Sequence, residues 1–313
     1  MEKLVIALGG NALQEAGKPA TAESQLEVVE KTSEFIADII QQGYKVVLAH
    51  GNGPQVGRIV LQNEAACDVT PAMPFDVCGA MSQGMIGYHM QQALSKVLKK
   101  RGNDKKVATV VTQVVVSADD PMFKNPTKPI GPFYSEEEAK KIAEERGFVM
   151  KEDSGRGWRR VVASPKPVEI IEIDAVRCLL DNGFIPISVG GGGIPVVRDA
   201  NGDIEGTAAV IDKDLASEKL AEELNADVLL ILTAVEQVSI NFKKPGEKKL
   251  DNITVAEAEQ YIAEGHFAPG SMLPKVQAAI MFANSKPGRR AIITSLDMAV
   301  EALHSRAGTT STK

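Results

Sequence analysis

The chain has 313 residues, of which 44% are hydrophobic, 24% charged and only 4% aromatic, and it carries a net charge of −6. That composition supports a full core made of aliphatic side chains. The absence of a Lys/Arg stripe tells against a nucleic-acid surface, and no stretch is long and apolar enough to span a membrane. The N-terminus runs from Met1-Glu2-Lys3 straight into an apolar segment rather than a targeting sequence. The three cysteines, Cys67, Cys78 and Cys178, fit no zinc spacing and are expected to be buried, reduced thiols of a cytoplasmic protein.

Leu4–Leu8 is a continuous apolar run stopped by Gly9-Gly10, the pattern of a strand buried on both faces. A helix is predicted over about 23–42, with Leu26, Val29, Ile36, Ile39 and Ile40 mostly on one face and Gly43 placed to cap it. Lys45–Ala49 is the second strand, ended by His50-Gly51-Asn52-Gly53, so the opening reads as a strand–helix–strand crossover unit. A long helix near 82–100 precedes a third strand over 107–112. Beyond 167, helix 174–181, strand 184–189, helix 213–224 and strand 228–232 alternate. Helices near 255–264 and 274–284, strand 291–294 and a last helix over 296–305 complete the series, and the polar tail 307–313 is expected to fray. Such alternation implies a doubly wound, three-layer αβα open sandwich with a mostly parallel central sheet.

Residues 117–167 break the rhythm. They hold six prolines, one helix over about 136–146 and the single tryptophan, Trp158. The segment is too long and irregular for a crossover, so it is expected to be a protruding subdomain inserted in one domain spanning 1–313. An insertion at a strand end would sit over the ligand edge as a lid, with Lys128 between Pro126 and Pro129 as its candidate contact.

Three predicted strands end in glycine-rich turns: Gly9-Gly10-Asn11, Gly51-Asn52-Gly53 and Gly190–Gly193, the last including Gly191 and Gly192. In open parallel sheets ligands bind beyond the carboxyl ends of strands. Glycines there let backbone N–H groups approach a phosphate. Three such turns point to more than one anionic group bound at a common edge. Neither a Walker-type phosphate loop nor a dinucleotide fingerprint occurs. Lys213 and Lys275 each fall at a predicted helix start, where an ammonium opposes the helix dipole and a bound polyphosphate would compensate. Phosphoryl transfer needs positioning and positive charge more than a nucleophile, so lysines, backbone amides and a Mg²⁺ carried by the nucleotide would suffice, with no metal site on the protein itself.

Several strings make the resemblance specific. Ala-Leu-Gly-Gly-Asn-Ala-Leu (7–13), Ala-His-Gly-Asn-Gly-Pro-Gln-Val-Gly (49–57) and Asp-Val-Cys-Gly-Ala-Met-Ser-Gln-Gly-Met-Ile-Gly-Tyr (76–88) resemble the motifs of carbamate kinases, within the amino acid kinase family. So do Gly-Gly-Gly-Gly-Ile-Pro-Val (190–196), Ile-Asp-Lys-Asp-Leu-Ala-Ser (211–217) and Phe-Ala-Pro-Gly-Ser-Met-Leu-Pro-Lys-Val (267–276), in order over nearly the whole chain. The resemblance implies the amino acid kinase fold, a homodimer, and phosphoryl transfer between ATP or ADP and carbamate or carbamoyl phosphate. It implies that Gly9, Gly10 and Asn11 hold the transferring group, that Gly51, Asn52 and Gly53 hold the carbamate end, and that Lys128 reaches down from the lobe. Lys213 and Lys275 would neutralise polyphosphate, Asp214 would orient them, and Thr233, Ala234, Val235 and Met272 would wall the adenine.

His50 is expected to be structural, because carbamate already presents an ionised oxygen. Arg58 is the one arginine near the glycine turns and is left out of the site. A kinase of the same fold acting on an amino acid carboxylate or UMP, and a ligand sensor that has lost catalysis, are the alternative readings.

Overall fold

The computed structural model describes residues 1–15, 17–153, 155 and 157–313, with the backbone alone at Asn11. In chain order the first half contains β1 (Lys3–Leu8), α1 (Ala22–Gln41), β2 (Lys45–His50), α2 (Gly53–Ala65), α3 (Phe75–Lys100), β3 (Val107–Thr109) and β4 (Gln113–Val116). A lobe follows with β5 (Lys128–Tyr134), α4 (Glu136–Arg146), β6 (Met150–Glu152) and β7 (Trp158–Val162). The chain returns through β8 (Pro167–Ile170), α5 (Ile173–Asp181), β9 (Ile185–Ile187), β10 (Ile194–Arg198), β11 (Ile204–Gly206), α6 (Lys213–Glu223) and β12 (Val228–Thr233). It ends with β13 (Val238–Ile240), β14 (Lys248–Leu250), β15 (Asn252–Thr254), α7 (Val255–Ala263), α8 (Met272–Ser285), β16 (Arg290–Ser295), α9 (Ala299–Leu303) and β17 (Thr309–Thr312).

The central sheet runs β15-β17-β16-β12-β1-β2-β9-β3. Neighbours from β16 to β3 are parallel, and β17 is antiparallel to β16. Both faces are covered, which is why the strands read as unbroken apolar runs. In β1, Leu4, Ile6 and Leu8 join one buried cluster with Ile36 and Ile40 of α1 and Leu94 and Leu98 of α3. Val5 and Ala7, pointing the other way, join Ala216 and Leu220 of α6 and Ala279 and Phe282 of α8. This is the expected αβα sandwich. Cutting a fully buried side chain such as Ile6 to alanine would cost about 2–5 kcal/mol.

Local chemistry sets the helix limits. Thr21 caps α1 by accepting from the Ser24 N–H, and Gly43 takes a left-handed φ of 93° just beyond its end. In the lobe, α4 begins with a Ser135/Glu138 capping box and ends at Gly147 with φ 67°, matching the predicted span 136–146. Strands β5, β7 and β6 form a separate three-stranded antiparallel sheet.

Several expectations are corrected. The strand predicted over 107–112 stops at Thr109, and the chain then enters a second sheet, β11-β10-β4-β8. Residues 53–65, given no element from sequence, are helix α2, with Val56, Ile59 and Val60 buried at helical spacing. The last helix covers only Ala299–Leu303. The tail does not fray. Thr309–Thr312 is strand β17, inserted between β16 and β15, with Thr309 and Ser311 buried. The Thr309 hydroxyl donates to the Leu250 carbonyl at 2.5 Å and accepts from the Val238 N–H at 2.9 Å, so this buried hydroxyl is satisfied inside the core edge. Of the cysteines only Cys78 is buried; Cys67 and Cys178 are exposed. Among the described residues no helix is long and apolar enough to cross a membrane.

Candidate active site

Because β12, β1, β2 and β9 are adjacent and parallel, their C-terminal turns fall along one edge of the sheet. Gly9-Gly10 follows β1, Gly51-Asn52-Gly53 follows β2, and Gly190–Gly193 lies just beyond β9. Above this edge lies a cleft of about 560 Å³, within the range of small-molecule sites. Gly10, Gly51, Asn52, Gly53 and Gly191 line it from the sheet, Lys213, Asp214 and Lys275 from helix starts, and Lys128 from the lobe. The three lysines, far apart in sequence, meet in one place.

The charges are arranged around Asp214, which is 2% exposed. Its Oδ1 accepts from Lys213 Nζ at 2.5 Å and its Oδ2 from Lys275 Nζ at 2.9 Å. Burial alone would push this carboxyl up, yet the two ammonium groups beside it hold it below the ordinary value. One carboxylate thus fixes two cations at a cleft wall. Asp212 is the N-cap of α6, accepting from the Asp214 N–H at 2.8 Å through Oδ1. Its other oxygen lies 3.4 Å from Lys128 Nζ, which tethers the lobe across the cleft. Lys213 runs over the second glycine turn, its Cδ 3.2 Å from where a side chain on Gly51 would begin.

Buried polar groups position the glycine turns. Gln83 of α3 donates to the carbonyls of Gly190 (2.9 Å) and Thr112 (3.2 Å) and accepts from the Thr112 N–H (2.9 Å). Asn52 Nδ2 donates to Ser82 Oγ at 2.8 Å. The glycine at 191 is required twice over. Its φ is +69°, and a Cβ there would lie 2.2 Å from Asn52 Nδ2. His50 is 1% exposed and its Nδ1 donates to the Gly51 carbonyl at 2.8 Å. Burial, with a smaller push from the Lys213 charge and opposed by that hydrogen bond, brings its pKa down to about 4. The imidazole is therefore neutral at working pH and braces the turn, as expected of a structural histidine.

Not every predicted site residue lines the cleft. Gly9 lies behind it against β12, Leu232 O being 2.9 Å from the position of a Cβ. Gly192 packs against the Ile211 carbonyl. The side chain of Asn11 lies outside the described residues. Thr233 ends β12, Ala234 and Val235 follow it and Met272 begins α8, all outside the cleft's wall. Ala234 is open to solvent and Met272 packs partly on the core.

Three charged lining residues were not assigned from sequence: Asp212, Arg58 and Arg159. Asp212 was visible as a capping residue ahead of Lys213. Arg58 corrects its omission from the site. It sits on α2, whose spacing of Val56, Ile59 and Val60 was the available signal. Nothing local marks Arg159, which comes from β7, donates to the Gly131 carbonyl and pairs with Asp153 at 3.2 Å.

The amino acid kinase family matches residues 2–295. The chain is 55% identical to the carbamate kinase of Clostridium perfringens, over 98% of each chain. It is also 55% identical to that of Pyrococcus horikoshii, over 98% of each. Among solved structures, carbamate kinase from Giardia lamblia bound to AMP-PNP superposes with a TM-score of 0.94 at 50% identity, covering 100% of this chain and 98% of that one. A UMP kinase from Bacillus anthracis, at 17% identity and a TM-score of 0.53, shares the fold alone.

Proposed function

The chain belongs to the amino acid kinase family, and from that premise we propose that it acts as a carbamate kinase, moving a phosphoryl group reversibly between ATP and carbamate. The observation that carries this reading is the triad of Lys213, Asp214 and Lys275 beside the second glycine turn, with Lys128 opposite. In the ATP-forming direction a terminal oxygen of ADP attacks the phosphorus of carbamoyl phosphate. The bond from phosphorus to the carbamoyl oxygen breaks, and carbamate leaves with the electron pair as an anion. No proton has to move. That agrees with a site rich in cations, whose one nearby histidine is neutral and buried.

Each group has a role in that step. Lys213 and Lys275 offset the charge on the equatorial oxygens as the transition state loosens, and Asp214 keeps both ammonium groups aimed. The backbone of Gly10 and Asn11 would cradle the transferring group, and Gly51, Asn52 and Gly53 the carbamoyl end. Lys128 would close on the substrate from the lobe at 117–167, which acts as a lid. Thr233, Ala234, Val235 and Met272 would flank adenine on the open side of β12. Mg²⁺ enters as part of the nucleotide substrate: the two carboxylates of the cleft, Asp212 and Asp214, are already engaged by lysines.

A homodimer is the proposed assembly. Val77, Met81 and Tyr88 stand exposed within about one helical stripe of α3, an apolar row suited to a second copy. The free thiols of Cys67, Cys78 and Cys178 suit a reducing, cytoplasmic setting.

A substrate panel tests the activity. ADP should be phosphorylated by carbamoyl phosphate at a rate far above ATP-dependent phosphorylation of glutamate, aspartate or UMP. A preference for any of those three would overturn the assignment in favour of another kinase of this fold.

A further inference from the structure

Among the described residues five cations line the cleft, and four of them have a carboxylate within 4 Å. Lys213 and Lys275 share Asp214, Lys128 faces Asp212, and Arg159 faces Asp153. Arg58 is the exception among the described residues. Its Nη1 donates to Gln14 Oε1 at 3.1 Å, and its Nη2 is buried with no hydrogen-bond partner. A buried donor left unmade is costly, more so on a charged group, unless a ligand supplies the acceptor. Burial also draws the Arg58 guanidinium below its ordinary pKa, as fits a cation without a counter-charge.

The topology indicates which ligand. The order β12-β1-β2 puts the turn at 233–235 on one side of the first glycine turn and the Gly51–Gly53 turn on the other. Arg58 lies on α2, the helix that Gly53 starts, and its pinning partner Gln14 follows the first glycine turn. It therefore stands on the side of β2, away from the proposed nucleotide wall. There a one-carbon carboxylate offers a planar pair of oxygens, the shape a guanidinium edge recognises. Lysines already serve the phosphoryl oxygens. We infer that Arg58 is a substrate-binding and specificity-determining residue, donating from Nη2 to the carbamate oxygen that is not phosphorylated. This rests on the carbamate kinase reading of the cleft.

The test measures steady-state ATP formation by the full-length protein and by Arg58→Ala and Arg58→Lys, with each substrate varied in turn. Loss of one charge-assisted hydrogen bond predicts a rise in the KM for carbamoyl phosphate of about tenfold to a hundredfold in Arg58→Ala. The KM for ADP should stay within about twofold, since the arginine does not touch the nucleotide. Added methylguanidinium should recover part of the rate in Arg58→Ala, an effect a merely structural residue would not show. Arg58→Lys keeps stem and charge but loses the planar edge, and should fall between the two; it serves if the alanine variant does not fold. Unaltered KM for carbamoyl phosphate, or equal weakening of both substrates without rescue, would overturn the inference while leaving the activity intact. A parent protein with no carbamoyl-phosphate-dependent turnover would contradict the activity, and the inference with it.

Discussion

Lys213→Ala separates catalysis from stability. The substitution removes an ammonium 2.5 Å from Asp214 Oδ1, while Lys275 remains 2.9 Å from Oδ2. On the stability side one hydrogen bond to a charged group is lost, worth about 1.5–3 kcal/mol. The remaining partner keeps Asp214 ionised, so the fold should persist with a melting temperature lowered by several degrees. On the catalytic side, a donor aimed at developing charge in a water-poor site is worth about 2.7–4 kcal/mol, or about 10²–10³ in kcat. Charge alone is of the right size, since an ion pair at 4 Å near a protein surface is worth about 4 kcal/mol. Initial rates of ATP formation should be read together with circular dichroism and thermal melts. The reasoning predicts a folded variant with kcat down at least about a hundredfold. A folded variant within threefold of the parent would refute the role given to Lys213.

Asp214→Asn leaves two ammonium groups without their carboxylate, and breaking such a buried arrangement should cost about 3–5 kcal/mol in urea unfolding. The folded-state pKa of Asp214 is depressed, so its contribution is fully present above the unfolded value near 3.9 and is lost as pH falls through the folded one. The stability gap between parent and Asp214→Asn should therefore close in acid and stay constant near neutrality; a gap that widens in acid would contradict this. Lys128→Ala should raise the KM for carbamoyl phosphate more than that for ADP, and equal effects would argue against a lid contact. Gly191→Ala forces a left-handed φ on a side chain, at about 1–3 kcal/mol, and drives a methyl into Asn52. Both urea midpoint and kcat/KM should fall, and an unchanged kcat/KM would show that the Asn52 turn does not hold substrate.

The parallel strands were legible because burial on both faces writes itself as unbroken apolar runs such as Leu4–Leu8 and Val228–Leu232. The glycine turns were legible because each stops an apolar run, and the first-turn lysines because an ammonium there opposes the helix dipole. What stayed hidden was set by distant partners. Strand β17 looked like a loose polar tail because Thr309 and Ser311 are buried through backbone partners and strand neighbours rather than hydrophobicity. The second sheet is built from strands of three to five residues, too short to show a period. Arg58 was left out because its neighbours in sequence do not show which way it faces, whereas α2, with Pro54 in its first turn, brings it to the cleft wall. The exposure of Cys67 and Cys178 depends on which face of their segments meets solvent, which their neighbours in sequence did not reveal.

Phosphorus NMR on ADP, Mg²⁺ and carbamoyl phosphate follows the transfer itself. The account predicts that each equivalent of carbamoyl phosphate consumed appears as one equivalent of ATP with the parent protein, and that this exchange is lost in Lys213→Ala. Conversion of carbamoyl phosphate to orthophosphate at its uncatalysed rate, with no ATP formed by the parent, would contradict it.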